Sequence, residues 1–207
     1  MIRLTILRLC AATVLPTLAL ATSPALAQDA APVADIVLVE GGEGSGNSGR
    51  LAVNLAAGTV NQQLNDAAVA VGTVAMVGQH DIQTIRGSDH PSDTATRLVI
   101  GEDAFSDNHG LVSVNVTAGT ANQSANLARL AIGTSGALSD SSLEQSRALT
   151  EPNGAPVGKA GESNDAVDIG DGAFGESSGL LQVNLIGGER NSSANTFSLN
   201  VSAGKQP

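Results

Sequence analysis

Three side chains offer the usual starting points for chemistry: His80, His90 and His109. An imidazole can ligate a metal or move a proton near neutral pH. None of the three stands at metal-site spacing from another, and no cysteine supports them. They read as scattered surface histidines. The stretches GGEGSGNSG (41–49) and DIGDGAFGESSG (168–179) carry glycines and carboxylates of the kind found in calcium-binding β-roll turns. They lack the regular nine-residue recurrence of those turns and read as acidic turns. There is no nucleophile elbow, phosphate loop or Ser/His/Asp arrangement. A carbohydrate-active β-helix enzyme would be longer and richer in aromatics for sugar stacking. The expectation is no enzyme, no metal and no cofactor.

What remains is a group of side-chain amides. The stretch AVNLAAGTVNQQLN (52–65) sets Asn61, Gln62, Gln63 and Asn65 beside an apolar strand pattern. An amide has a donor and an acceptor, so it can bond to an identical neighbour above and below. That chemistry needs copies, and the chain has them. Residues 49–72, 110–133 and 179–202 repeat one pattern, and the first two align without a gap with 12 of 24 positions identical. The shared positions include Val53/Val114/Val183, Asn54/Asn115/Asn184, Asn61/Asn122/Asn191 and Asn65/Asn126/Asn195, with Gln62 and Gln123 in the first two copies. Turn glycines recur at Gly58, Gly119 and Gly188, where a positive φ costs little. Similarity extends upstream, since LVIGEDAFSDNHG (98–110) aligns with VDIGDGAFGESSG (167–179), and IVLVEGGEGSGNSG (36–49) is a looser first version.

Each unit must position its amides with strands. Period-two alternation puts Leu51, Val53 and Leu55 on one face, as it does Val112, Val114, Val116 and Leu181, Val183, Leu185. One unit cannot bury that face alone, whereas stacked units can. The reading is an all-β fold: a β-solenoid or β-arch stack of three imperfect repeats with flexible linkers. In-register stacking brings equivalent residues about 4.8 Å apart, so the amides form ladders. A charge there would repel its own copy. No cap is evident at either end of the stack, so the ladder is free to continue into a second molecule.

The organisation follows. Residues 1–27 read as a secretory signal peptide, with Arg3 and Arg8, an apolar run and Ala25-Leu26-Ala27 as the cleavage pattern. A tail (28–35) leads to repeat 1 (36–72), linker 1 (73–96), repeat 2 (97–133), linker 2 (134–165), repeat 3 (166–204) and a tail (205–207). Linker 2 is rich in Ser, Gly, Pro and charge, with a short helix expected around Ser141–Leu149. Cys10 leaves with the leader, so the exported chain has neither disulfide nor thiol chemistry. Loss of Arg3 and Arg8 takes the formal charge from −10 to near −12, which disfavours nucleic acid and anionic membranes as partners. No membrane span is expected after cleavage. The chain has 24 glycines, three phenylalanines and no Trp or Tyr, which suits thin layered β-structure.

The pattern Gly49…Val53-Asn54…Ala57-Gly58…Asn61-Gln62-Gln63…Asn65 resembles the repeats of the Fap functional amyloid subunits. The leader, three repeats and two linkers share that family's layout. The second copy has Ser124 and the third has Gly187 and Ser192-Ser193 at motif positions, and the family's C-x-x-C has no counterpart in SAGKQP. The resemblance implies a secreted subunit that polymerises, alone or with a related subunit, into cross-β fibres of a biofilm after export through an outer-membrane pore. It leaves open a main subunit, a nucleator or an adhesin. A monomeric β-solenoid adhesin at the cell surface or in the periplasm is the alternative.

Overall fold

The computed structural model describes residues 34–87, 95–149 and 165–203. The expected leader, His90 and the C-terminal tail lie outside the described residues. The first copy contributes β1 (Ala34–Val39), β2 (Ser48–Ala57) and β3 (Gln62–Gly87). The second contributes β4 (Ala95–Ile100), β5 (His109–Ala118) and β6 (Gln123–Leu149), and the third β7 (Ala166–Ile169), β8 (Ser178–Gly187) and β9 (Ser192–Ser202). Equivalent strands pair in parallel to give three sheets, β1-β4-β7, β2-β5-β8 and β3-β6-β9. Each copy is thus one rung of a three-rung stack, and the all-β solenoid-like class is established. The alignment is also the hydrogen-bond register: Gly110 pairs with Gly49 on one side and Gly179 on the other, as Asn115 does with Asn54 and Asn184.

The two faces of the central sheet meet different partners. Its apolar face in rung 2 (Val112, Val114, Val116) packs on Val37, Val39, Leu98 and Ile100 of the β1-β4-β7 sheet. This is the apolar core, and Leu51, Val53, Leu55 and Leu185 join it half-buried. Leu181 stands at the open end of the stack and is 39% exposed, and Val183 is half-buried. The opposite face carries Asn54, Asn115 and Asn184 and meets the β3-β6-β9 sheet. At the acidic turn, Phe105 and Phe174 stack with centroids 5.3 Å apart and planes 14° apart. Rung 1 has Gly44 at that position, and the Phe105 ring occupies the space a Gly44 side chain would need.

The linkers hold the main departure from the sequence reading. Val74–Gly87 and Gly136–Leu149 were expected to lie in flexible linkers without partners, the second with a helix at Ser141–Leu149. They are instead the far halves of β3 and β6, paired with each other in parallel register beyond a shift at Gly72/Val74. Each far half folds back over its own near half: Gln62 Nε2 donates to Thr84 O at 2.7 Å, and Gln123 Nε2 to Ser146 O at 3.2 Å. In register the two segments are identical only at Ala75/Ala137 and Gln83/Gln145, so a search for repeats passes over them. A backbone ladder needs only two extended chains of matching length. The inward face alternates as Ala75, Val77, Gln79, Asp81, Gln83 and Ile85, a pattern diluted by its polar members.

Candidate assembly interface

The amides occupy two structurally different settings. In the first, two Asn ladders face each other between sheets. Asn115 Nδ2 donates to Asn54 Oδ1 at 2.9 Å, and Asn184 Nδ2 to Asn115 Oδ1 at 2.9 Å. On the facing sheet, Asn126 Nδ2 donates to Asn65 Oδ1, and Asn195 Nδ2 to Asn126 Oδ1, both at 2.9 Å. Cross-bonds join the ladders, as from Asn126 Nδ2 to Asn115 Oδ1 at 3.0 Å. The Nδ2 groups of Asn65, Asn115, Asn126, Asn184 and Asn195 also reach backbone carbonyls, as from Asn65 to Val53 O and from Asn195 to Val183 O. The middle-rung amides Asn115 and Asn126 are wholly buried, a state tolerable only because every polar atom finds a partner.

The second setting is the turn after the central strand. Here the amides do not pair with their own copies, as the ladder chemistry led one to expect. Asn61 Nδ2 donates to Gly119 O at 2.8 Å, and Asn122 Nδ2 to Gly188 O at 2.8 Å. In return Asn122 N donates to Asn61 Oδ1, and Asn191 N to Asn122 Oδ1. These residues sit where the chain reverses, so the nearest groups on the next rung are backbone groups of the turn. Gln62 and Gln123 point the other way, into the fold-back, where Gln123 Nε2 reaches Gln62 Oε1, Gln83 O and Ser146 O.

The glycines of both turns explain how close the rungs come. A Cβ on Gly119 would lie 2.0 Å from Gly188 O, and one on Gly58 2.0 Å from Gly119 O. A Cβ on Gly110 would lie 2.1 Å from Gly49 O, and one on Gly179 2.1 Å from Gly110 O. The missing methyls therefore point toward rung 3 at one turn and toward rung 1 at the other. At the ends they point out of the molecule. A Cβ on Gly49 meets nothing within 4 Å, and one on Gly188 meets only the Asp165 and Asn191 side chains.

Sequence reasoning passed over a third ladder. Asn47 N donates to Asn108 Oδ1 at 2.8 Å, and Asn108 N to Ser177 Oγ at 3.2 Å. The signal was present in GNSG, DNHG and ESSG, each two residues before the repeat glycine. Gln63 of the amide cluster donates from Nε2 to Leu55 O and Thr117 Oγ1, and Gln182, which was passed over, donates to Leu127 O and Asn195 O. Buried Arg129 is a further surprise. Its Nη2 lies 3.6 Å from Asp81 Oδ2 inside the fold-back. Of the histidines, His109 lies by Ser178 Oγ (2.7 Å) and Asp107 (3.5 Å), and His80 is exposed on β3. Among the described residues no group of three or more His, Cys, Asp or Glu is placed to hold a metal, and no helix is long and apolar enough to cross a membrane.

Parallel in-register rungs and self-complementary amide ladders, with end rungs that no other described residue covers, define a stacked β-protein of the amyloid type. The chain matches the functional amyloid protein FapB/FapC family over residues 20–202, and it belongs to that family. This is a family of structural amyloid proteins rather than of enzymes. No solved structure matches the chain.

Proposed function

We propose that the chain is a secreted subunit that stacks head to tail, rung 1 of one copy on rung 3 of the next, into a cross-β fibre for biofilm or surface attachment. A related subunit able to present the same rung can co-polymerise with it or seed it. The observation that carries this reading is the contrast between the middle rung and its neighbours. Val114 and Asn115 are fully buried, while Val53 is half-exposed and Asn54 exposed. A further copy stacked on either end gives the end rungs the environment that rung 2 already has.

Head-to-tail order follows from the direction of the ladders. Asn54 engages its neighbours through Oδ1 alone, and Asn195 through Nδ2 alone. Rung 1 therefore offers a donor where rung 3 offers an acceptor. Contact between like ends would oppose donor to donor and force antiparallel pairing. The leader pattern at 1–27 and the family suggest passage through the periplasm and an outer-membrane pore. The test is dilution of the mature chain from denaturant, followed by thioflavin fluorescence and fibre diffraction. A cross-β pattern with strands about 4.8 Å apart is expected. A stable monomer without that reflection would sink the reading and favour a monomeric adhesin.

A further inference from the structure

The near half of the β3-β6-β9 sheet runs past the point where the central sheet begins. The overhang and the wall of the central sheet enclose a groove of about 290 Å³. Its floor carries Ala67, Val69, Leu130 and Phe197, and its wall Leu111 and Leu180. Ladder register makes the groove run along the stack. Ala67, Ala128 and Phe197 follow one another rung by rung, as do Val69, Leu130 and Leu199. Three rungs set the first and last of these side chains about 10 Å apart along the channel. Val69 is 64% and Leu199 42% exposed, so this channel opens to solvent.

The wall ladder changes chemistry once. Leu111 and Leu180 stand in register with Arg50 on rung 1. Arg50 is exposed, continues the line of Leu111 and Leu180 at its rung-1 end, and donates from Nη2 to Asn65 O at 3.0 Å, two residues before Ala67 of the floor. Asp66, the acid that follows Asn65 on β3, lies on the other face of its strand, toward Asp81. An apolar channel closed at one end by a cation is locally complementary to a linear molecule with an apolar tail and an anionic head, whose attraction to Arg50 acts against the repulsion of a chain of formal charge −10.

We propose that this groove binds the acyl chain of an anionic amphiphile, with the tail along the stack and the carboxylate at Arg50. The groove lies within one chain, so the proposal does not rest on fibre formation and fails or stands separately from it. The probes are dodecanoate and dodecyltrimethylammonium, which share a tail and differ in head charge. They are titrated calorimetrically below micelle formation into the folded full chain. Dodecanoate is expected to saturate at one per chain and to bind about fivefold more tightly than the cation, the size of one exposed charge-assisted pair. Arg50→Gln is expected to erase that preference while leaving the cationic probe unaffected. Val69→Asn, at a largely exposed position that folding tolerates, is expected to weaken both probes. Equal affinity for the two heads, an unchanged preference in Arg50→Gln, or unchanged affinity in Val69→Asn would overturn the proposal. So would burial of the groove by a second copy, seen as dodecanoate binding that weakens as protein association rises.

Discussion

Rungs 1 and 2 are half identical over their shared segment, yet they live in different environments. Val114 and Asn115 are fully buried, whereas Asn54 is exposed and Val53 half-buried. The cause is position in the stack, since only the middle rung has a neighbour on both sides. The same side chain is therefore a core residue in one copy and an edge residue in another. In a long stack every rung would become a middle rung. Substitutions at equivalent positions separate these two roles, because a middle-rung change acts on folding and an end-rung change acts on assembly.

Asn115→Asp should give the largest effect. The new carboxylate would lose the bonds to Asn54 Oδ1, Leu64 O and Asn65 Oδ1 and face those oxygens in a dry layer. A loss of about 4 kcal/mol is expected by urea unfolding. Asn54→Asp should cost the folded chain about 1 kcal/mol or less, since that side chain is exposed, and yet slow elongation strongly. Equal costs at the two positions would contradict the distinction between middle and end.

Gly110→Ala and Gly49→Ala sharpen the same point. The first methyl would collide with Gly49 O and is expected to cost about 3 kcal/mol. The second has free space within the chain and carries only the strain of a φ of 109°, about 1–2 kcal/mol. In a head-to-tail fibre that methyl would meet Gly179 O of the next copy. Gly49→Ala should therefore fold but fail to extend wild-type seeds, measured by seeded thioflavin kinetics. Normal extension would show that rung 1 is not an elongating face.

Phe174→Ala should cost about 1–2 kcal/mol, because the ring is half-buried against Phe105. The smallest effect is expected in the fold-back. Burial holds the Asp81 carboxyl above its ordinary range, nearby Asp66 adds to this, and Arg129 opposes it. A raised folded-state pKa means that the folded chain binds the proton more tightly. The associated stability is present in acid and is lost as pH rises through that pKa. Asp81→Asn should then match or slightly exceed the parent at pH 7, by about 1 kcal/mol or less, with the gain gone in acid. A lower midpoint at pH 7 would show that the charge near Arg129 outweighs the cost of burying it.

The legible part of the fold was what repeats. Gap-free identity at Asn54/Asn115, Gly49/Gly110 and Asn65/Asn126 is also the pairing register, since in-register strands place like on like. The illegible part was what lies across the layers. Val74–Gly87 and Gly136–Leu149 pair mainly through backbone groups that impose little on side-chain identity, with side-chain bonds at Gln83/Gln145 and Thr84/Ser146, so they resembled linkers. Arg129 resembled a solvated charge in an apolar run, because nothing local announces that a distant part of the same strand folds back over it with Asp81.

The sequence by itself determined the period, the register, the neutrality of the stacked positions and the membership of a structural amyloid family. Those properties concern contacts along the stack, where each residue meets its own copy. Tertiary structure decided the rest. It set Asn54 and Asn65 against each other between sheets and turned Asn61 onto backbone carbonyls. It folded the long strands back on themselves and left an apolar channel beneath Arg50. Those contacts join unlike positions, and their geometry depends on where each turn reverses the chain, which no comparison of one repeat with the next can supply.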